Sequence, residues 1–383
     1  MRLNRFEKIL NNFHLNDNTQ AQGTDRLYKI RPLITHLNEA FLKHGGMDEN
    51  LSIDESMIPY YGRHYAKQYI RGKPIRFGFK NWALNSSDGY MLQFDVYMGK
   101  NAESVPQGYG VGGDKVVDLL TKANVPHHKG FKLFIDNYFT SVKLLRNLAS
   151  MGICTSGTIR DGRIEKCPLR KIAAMKKEQR GSSDFRFTDD GKILVVRWKD
   201  NNVVTIGSNF DTIDIGTCKR YARGQGAIQI PQPKLLQRYN QGMGGVDKMD
   251  QMVAVYRSRI RQRKWWWPIF AYLLDASIVN AWILMRKVHP NDPNCGTLLI
   301  FRRYIANSYL ERYGMPSSRG SSRTSINPDA RYDGKNHMIE YSNTDKRCAY
   351  CGKKSNFVCT KCEKGLHPKE CFKQYHTSNA HTA

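Results

Sequence analysis

Apolar side chains at Leu3, Phe6, Leu10 and Phe13, and again at Leu33, Ile34, Leu37 and Phe41 after Pro32, recur at helical spacing. They predict two short amphipathic helices before residue 47. Nothing precedes them to cover their apolar faces, the pattern of a fragment or of a shortened relative of a longer chain. From Leu51 the period drops to two. Leu51 and Ile53 alternate with polar residues, and β-rich runs follow at Arg76 to Leu84 and Tyr90 to Tyr97, separated by Asn85-Ser86-Ser87-Asp88-Gly89. Helical spacing returns through Val116, Val117, Leu120 and Ala123. A strand is predicted at Lys132 to Ile135, and a helix through Val142, Leu145, Leu148 and Ala149.

The resulting order, β-β-β-α-β-α, predicts an α/β fold in which antiparallel hairpins feed crossover helices. The sheet is mixed with helices on its faces, the arrangement of RNase H-like folds. Residues 158–232 interrupt it with a basic stretch, Arg170 to Arg180, and a β meander at Phe185 to Phe187, Ile193 to Trp198 and Val203 to Gly207, its first turn at Asp190-Gly191. This segment reads as a β-rich insertion, and its basic stretch as a flanking-DNA surface, an import signal or a solvated face. Helices are predicted at Val246 to Tyr256, from Pro268 to about Met285, and at Leu298 to Leu310. Pro316 to Asn336 is too poor in apolar side chains to offset its ordering entropy and reads as a linker. The predicted division is a helical N-terminal DNA-binding or dimerisation remnant at 1–47 and a catalytic core at 48–157 plus 233–290. The insertion fills 158–232, a helical extension 291–315, a linker 316–345 and a small zinc-binding module 346–383.

Composition sharpens this picture. The 383 residues carry a formal charge of +26, far beyond what solubility needs, so a polyanion is the leading partner, and nucleic acid the leading polyanion. No apolar run approaches the roughly 18 residues that span a bilayer, so a soluble chain with no membrane partner is expected. The opening Met1-Arg2-Leu3-Asn4-Arg5-Phe6 lacks the apolar stretch of a secretion signal, and five of the nine cysteines crowd between Cys348 and Cys371. Together these point to zinc in a reducing compartment.

Three acidic positions carry the candidate chemistry. Asp54 is predicted at the end of the first core strand, Asp136 just after Leu133-Phe134-Ile135, and Asp247 at a helix start after Gly244-Gly245-Val246, with Asp250 one turn later. Taken singly, each also suits a turn or helix cap. Converging at one sheet edge, they form an oxygen donor set for hard cations such as Mg²⁺ or Mn²⁺. Near the third, Arg257, Arg259, Arg261, Arg263 and Lys264 lead into Trp265, Trp266 and Trp267. Phosphate-binding cations beside stacking rings suit a distorted DNA end, with at least one of the tryptophans anchoring the following helix instead.

In the tail, Cys348, Cys351, Cys359, Cys362, His367, Cys371 and His376 have zinc-ligand spacing, with His381 the candidate eighth ligand. Alternating the pairs as cross-braced modules do assigns Cys348, Cys351, His367 and Cys371 to one ion. Cys359, Cys362, His376 and His381 take the other. A single zinc with spare cysteines is the competing arrangement, while Cys154, Cys167, Cys218 and Cys295 read as ordinary small side chains.

The strings Leu51-Ser52-Ile53-Asp54-Glu55, Ile135-Asp136-Asn137-Tyr138-Phe139-Thr140-Ser141 and Gly244-Gly245-Val246-Asp247-Lys248-Met249-Asp250-Gln251-Met252 closely resemble the piggyBac transposase family. Tyr61-Gly62-Arg63, Lys73-Pro74, the insertion and the cysteine-rich tail extend the resemblance along nearly the whole chain. It implies a nuclear cut-and-paste DNA transposase, a homodimer on double-stranded DNA that engages transposon ends and target DNA. Its triad would be Asp54, Asp136 and Asp247 with Asp250 as an added acid, its route a hairpin intermediate, its insertion target TTAA. Family members carry a longer N-terminal region than the one before Asp54. The alternatives are a host-adopted DNA-binding protein that no longer transposes, and an adaptor whose zinc module reads a protein partner.

Overall fold

The computed structural model describes residues 3–20, 25–99, 106–222, 224, 226–314 and 331–377. They fall into two compact units, residues 1–292 and 293–383.

In the first unit, helix α1 spans Leu3–Asn12 and α2 Arg31–Gly45, with Pro32 in the first turn of α2 and Ile34 and Phe41 buried beneath it. Strand β1 (Asn50–Pro59) follows, then the short β2 (Gln68–Tyr69), β3 (Phe77–Ser86) and β4 (Met91–Val96). Strands β1 and β3 pair antiparallel with Ile53 opposite Leu84, and β4 and β2 share the other edge of β3. Strand β3 is buried from Gly78 to Ser86 rather than alternating, as expected of a strand covered on both faces. Helix α3 (Gly110–Lys122) leads to β5 (Lys132–Ile135), and α4 (Val142–Ser150) to β6 (Cys154–Thr158). The Ser141 hydroxyl caps α4 by accepting from the Leu144 N–H at 3.1 Å. Strands β5 and β6 run parallel to β1, so the sheet is mixed with helices on its faces.

The segment read as an insertion opens with a short helix, α5 (Ile172–Met175), and supplies β7 (Ser183–Phe187), β8 (Leu194–Lys199) and β9 (Val203–Ser208). Because β9 pairs antiparallel with β6, these strands continue the same sheet to nine strands. Within its basic stretch the two arginines are paired, Arg170 with Glu178 and Arg180 with Asp200, while Lys171, Lys176 and Lys177 are exposed. A two-stranded ribbon, β10 (Ile215–Ala222) and β11 (Gly226–Pro233), leads into α6 (Lys234–Gly242), α7 (Gly245–Val255) and α8 (Trp267–Val288).

Helix α7 lies directly on the sheet because of Gly245. A Cβ there would meet the Ser86 carbonyl oxygen at 2.4 Å and Ser52 Oγ at 2.5 Å, so only glycine lets the helix start approach β1. Helix α8 corrects one expectation: by length and composition it is apolar enough to cross a bilayer, with a mean hydropathy of 1.5. Its polar residues serve the core. Asn280 is buried and exchanges two hydrogen bonds with the backbone of Met91, and buried Asp275 accepts from the Ser258 N–H and hydroxyl.

The second unit contains α9 (Leu298–Tyr313), the hairpin β12 (Ile339–Arg347) with β13 (Lys354–Cys359), and α10 (Glu370–Thr377). Part of the expected linker is therefore strand. Ile339 pairs with Cys359 and Tyr341 with Phe357, and this pairing supplies the backbone partners that composition alone did not reveal.

Candidate catalytic edge and metal-ligand groups

Asp54 was expected at the end of β1 but lies within it. The strand runs on to Pro59, hydrogen-bonded to β3 throughout. What ends is its other neighbour: β5 pairs with β1 only as far as Ile53 opposite Ile135. The next residues, Asp54 and Asp136, thus stand side by side where the second edge of β1 becomes open. The Glu55 N–H donates to Asp54 Oδ1 at 2.7 Å, and the Tyr138 N–H to Asp136 Oδ1 at 2.8 Å. Asp136 therefore also ties down the turn after β5, while Asp54 bonds within its own strand.

Helix α7 brings Asp247 and Asp250 to the same neighbourhood. Asp247 is exposed in the first turn. Asp250 accepts from Ser56 Oγ at 2.7 Å, and that hydroxyl lies 3.2 Å from the buried phenol of Tyr272. Lys73 reaches back from the loop after β2, donating to the Glu55 carbonyl at 3.0 Å and standing 3.8 Å from Asp54 Oδ2. Burial works against its charge, but Asp54, Glu55, Asp247 and Asp250 outweigh it and raise its pKa.

One lysine does not neutralise this cluster. Burial pushes Asp54 up to about 7, partly countered by Lys73 and reinforced by Glu55 and Asp136. Burial also raises Asp136, and it pushes Asp250 up to about 6 against the Ser56 hydrogen bond and Lys73. An excess of carboxylate oxygens in a low-dielectric edge fits a hard divalent cation, which satisfies such oxygens and stabilises their charged form. Among the described residues, ligand atoms all within 4.8 Å of one another occur only in the tail, so the acidic residues form a more open set. A pair of cations about 3.5 to 4 Å apart takes its ligands from such a spread.

On β1 the side chain of Glu55 points opposite to Asp54 and Ser56. There Lys80 Nζ lies 3.8 Å from Glu55 Oε2 and 4.3 Å from the ring centroid of Tyr138, whose backbone fixes Asp136. Ser56, Lys73, Lys80 and Tyr272 were not singled out as site residues. The two-residue period on β1 makes Ser56 a same-face neighbour of Asp54, a signal that was available. Tyr272 comes from a helix more than two hundred residues away and has no local signature.

The basic and aromatic segment divides. Arg259, Arg261 and Arg263 are exposed, and Arg257 is half-buried and lowers the pKa of Asp250. Two sequence expectations are corrected. Lys264 donates to the carbonyls of Leu10 at 2.9 Å and Asn11 at 3.1 Å, closing the C-terminal end of α1 rather than facing a phosphate. Trp266 is 4% exposed against Phe13 and Phe270, so no base can reach its face. Trp267 is buried as well, its Nε1 donating to the Ile260 carbonyl at 2.8 Å. Trp265 is half-buried and stacks on His64 with centroids 4.6 Å apart.

In the second unit two ligand groups interleave along the chain: Cys348, Cys351, His367 and Cys371, and His337, Cys359, Cys362 and His376. The first is the expected set. The fourth member of the other is His337, whose Nδ1 lies 3.5 Å from Cys359 Sγ and 3.4 Å from Cys362 Sγ; His381 lies outside the described residues. Each histidine turns its second ring nitrogen to an oxygen: His337 to Asp333 at 3.2 Å, His367 to the Lys354 carbonyl at 3.1 Å, His376 to the Phe372 carbonyl at 2.8 Å. That is how metal-ligating imidazoles are oriented. Cys359 is held well below the ordinary thiol range, chiefly by its hydrogen bond with Cys362. Thiols and imidazoles in fours fit tetrahedral zinc.

Residues 1–282 match the family model described as Transposase IS4. The chain is 40% identical to the human piggyBac transposable element-derived protein 3, and 37% identical to the human piggyBac transposable element-derived protein 2. Each match covers 98% of this chain and 63% of the relative, so the chain spans under two thirds of the length of the curated relatives. The fold is similar to that in the cryo-EM structure of a piggyBac transposase synaptic complex with hairpin DNA. There the TM-score is 0.64 at 21% identity, over 95% of this chain and 77% of that one.

Proposed function

The chain belongs to the piggyBac-type transposase family, and from that premise we propose that it is a metal-dependent DNA transposase that cuts and rejoins strands at the open edge of β1. The observation that carries the reading is the pairing of β1 with β5, which ends at Ile53 and Ile135 and leaves Asp54 beside Asp136, with Asp247 and Asp250 acting on the same lysine. The order β4-β3-β1-β5-β6, antiparallel on one side of β1 and parallel on the other, supports an RNase H-like core. On this reading residues 158–232 are an insertion domain that lengthens the core sheet.

Asp54, Asp136 and Asp247 would hold Mg²⁺ or Mn²⁺. When bound, such ions supply the Lewis acidity that activates an attacking oxygen and stabilises the leaving one. Ser56 and Tyr272 keep Asp250 in place. Lys73 offsets the carboxylate charge until a cation is held and thereafter faces the phosphate backbone. The exposed Arg259, Arg261 and Arg263 bind that backbone without regard to sequence. The tail takes two zinc ions and adds a second DNA-binding surface. Nuclear location, action as a dimer on DNA and insertion at TTAA belong to the same reading.

The test is strand cleavage of DNA carrying the element's own ends, with Mg²⁺ or Mn²⁺, against an Asp136→Asn control. Metal-dependent nicking above the control supports the enzyme. Its absence, with DNA binding retained, leaves a transposon-derived binding protein.

A further inference from the structure

Between Glu55 and Asp88 the chain has no acidic residue, yet it carries Arg63, Lys67, Arg71, Lys73, Arg76 and Lys80. The same stretch is rich in aromatic rings, and they divide sharply. Tyr60 and Phe79 stack inward with centroids 4.8 Å apart. Tyr61, Tyr65 and Tyr69 are instead 80%, 63% and 57% exposed. Three large rings left in water on one short segment cost apolar exposure that a packed loop would avoid, the mark of a binding surface.

The exposed rings are held as a unit. Tyr69 packs on Phe77 across the β2–β3 pairing, with centroids 4.9 Å apart. Lys67 Nζ lies 6.0 Å over the Phe77 ring and donates to the Gly62 carbonyl at 3.0 Å, tying the Tyr61 turn to that pair. Tyr65 leans on His64, which stacks on Trp265, and the Arg26 guanidinium lies 5.4 Å over the Tyr65 ring. Arg63, Arg71 and Arg76 are exposed around them. The loop between β2 and β3 then returns Lys73 to within 3.8 Å of Asp54.

We propose that residues 60–77 form a stacking platform for unpaired bases at a DNA end, with Tyr61, Tyr65 and Tyr69 as the stacking rings and Arg63, Arg71 and Arg76 as backbone contacts. The density of cations and the lack of any acid select a polyanion. The rings select unpaired bases, because in a duplex the base faces are already covered by their neighbours. Lys73 joins the platform to the carboxylate edge, so a strand stacked there has its backbone beside Asp54. The inference rests on DNA being the substrate of that edge, and it names which part of the DNA the segment holds.

The experiment measures affinity of the full chain, in EDTA, for three probes of equal length. They are a single-stranded oligonucleotide containing 2-aminopurine, the corresponding duplex, and an abasic strand with the same phosphates. The variants are Tyr61→Ala/Tyr65→Ala/Tyr69→Ala and its all-phenylalanine counterpart, at positions exposed enough to spare the fold. Expected is a loss on the order of tenfold or more for the single strand in the alanine variant, with the duplex and abasic strand changed less than twofold. The phenylalanine variant should retain both affinity and 2-aminopurine quenching. Equal affinity of wild type and alanine variant for the single strand overturns the proposal, as does a uniform loss on all three probes. The difference between the alanine and phenylalanine variants should persist in an Asp136→Asn background, where cleavage is lost. Cleavage can therefore fail while the platform stands, and the platform can fail while cleavage stands.

Discussion

Ser56 and Asp250 are joined by a 2.7 Å hydrogen bond across 194 residues of sequence, hydroxyl to carboxylate. The bond ties β1 to α7 at the point where the two carry their acidic side chains. Ser56→Ala should leave the fold intact by circular dichroism while raising the Mn²⁺ concentration needed for half-maximal cleavage by about 10-fold or more, because it frees Asp250, the added acid beside the three ligands, from its fixed position. Calorimetric titration of Mn²⁺ reads the same change without DNA.

The pH dependence has a definite sign. Asp54 is pushed up to about 7 and Asp250 to about 6, whereas an aspartate in an unfolded chain titrates near about 3.9. Between those values the folded state binds protons that the unfolded state has released, so these groups contribute stability that is lost as pH rises from about 4 towards 7. A bound cation reverses the penalty. Added Mg²⁺ should therefore raise Tm of the catalytic unit more at pH 8 than at pH 5.5, and Asp54→Asn should remove most of that difference. An equal increment at both pH values contradicts the burial of these carboxylates.

Zinc release separates the two assignments of the eighth ligand. His337→Ala should lose one of two zinc equivalents in a pyridylazoresorcinol assay, and His381→Ala should lose none. Chelation of both ions should unfold the hairpin of β12 and β13, since the ligands Cys348, Cys359 and Cys362 with Leu366 form its buried cluster.

The basic segment should split by role. Replacing Arg259, Arg261 and Arg263 by alanine should weaken DNA binding on all sequences and reduce the salt slope by about one per arginine. Trp266→Ala should act on stability, costing about 3 to 5 kcal/mol for an emptied core site. Thermal denaturation and a salt titration of DNA affinity distinguish the two.

How much of this was legible follows from the range of each signal. The helices at 31–45 and 142–150 and the strand at 132–135 are local patterns that periodicity found, and the acidic strings are local too, found by their resemblance to a known family. Three features needed the third dimension. Trp266 and Lys264 read as a DNA surface because cations beside rings look alike whether they face solvent or α1. Only Phe13 and the α1 carbonyls, some 250 residues earlier, decide between them. His337 was hidden because it precedes the cysteine run and its spacing fits no short motif. That α8, apolar enough to span a bilayer, belongs to a core was hidden because the partners of Asn280 and Asp275 lie on β4 and near the end of α7, beyond any local window.

The central claim is that Asp54 and Asp136, aligned by the pairing of β1 with β5, share divalent cations with Asp247. Anomalous diffraction at the manganese edge from crystals soaked in Mn²⁺ tests it most directly. The account predicts a peak within ligand distance of Asp54 and Asp136, lost in the Asp136→Asn variant. Manganese bound only elsewhere, or no peak at that edge at saturating metal, would contradict it.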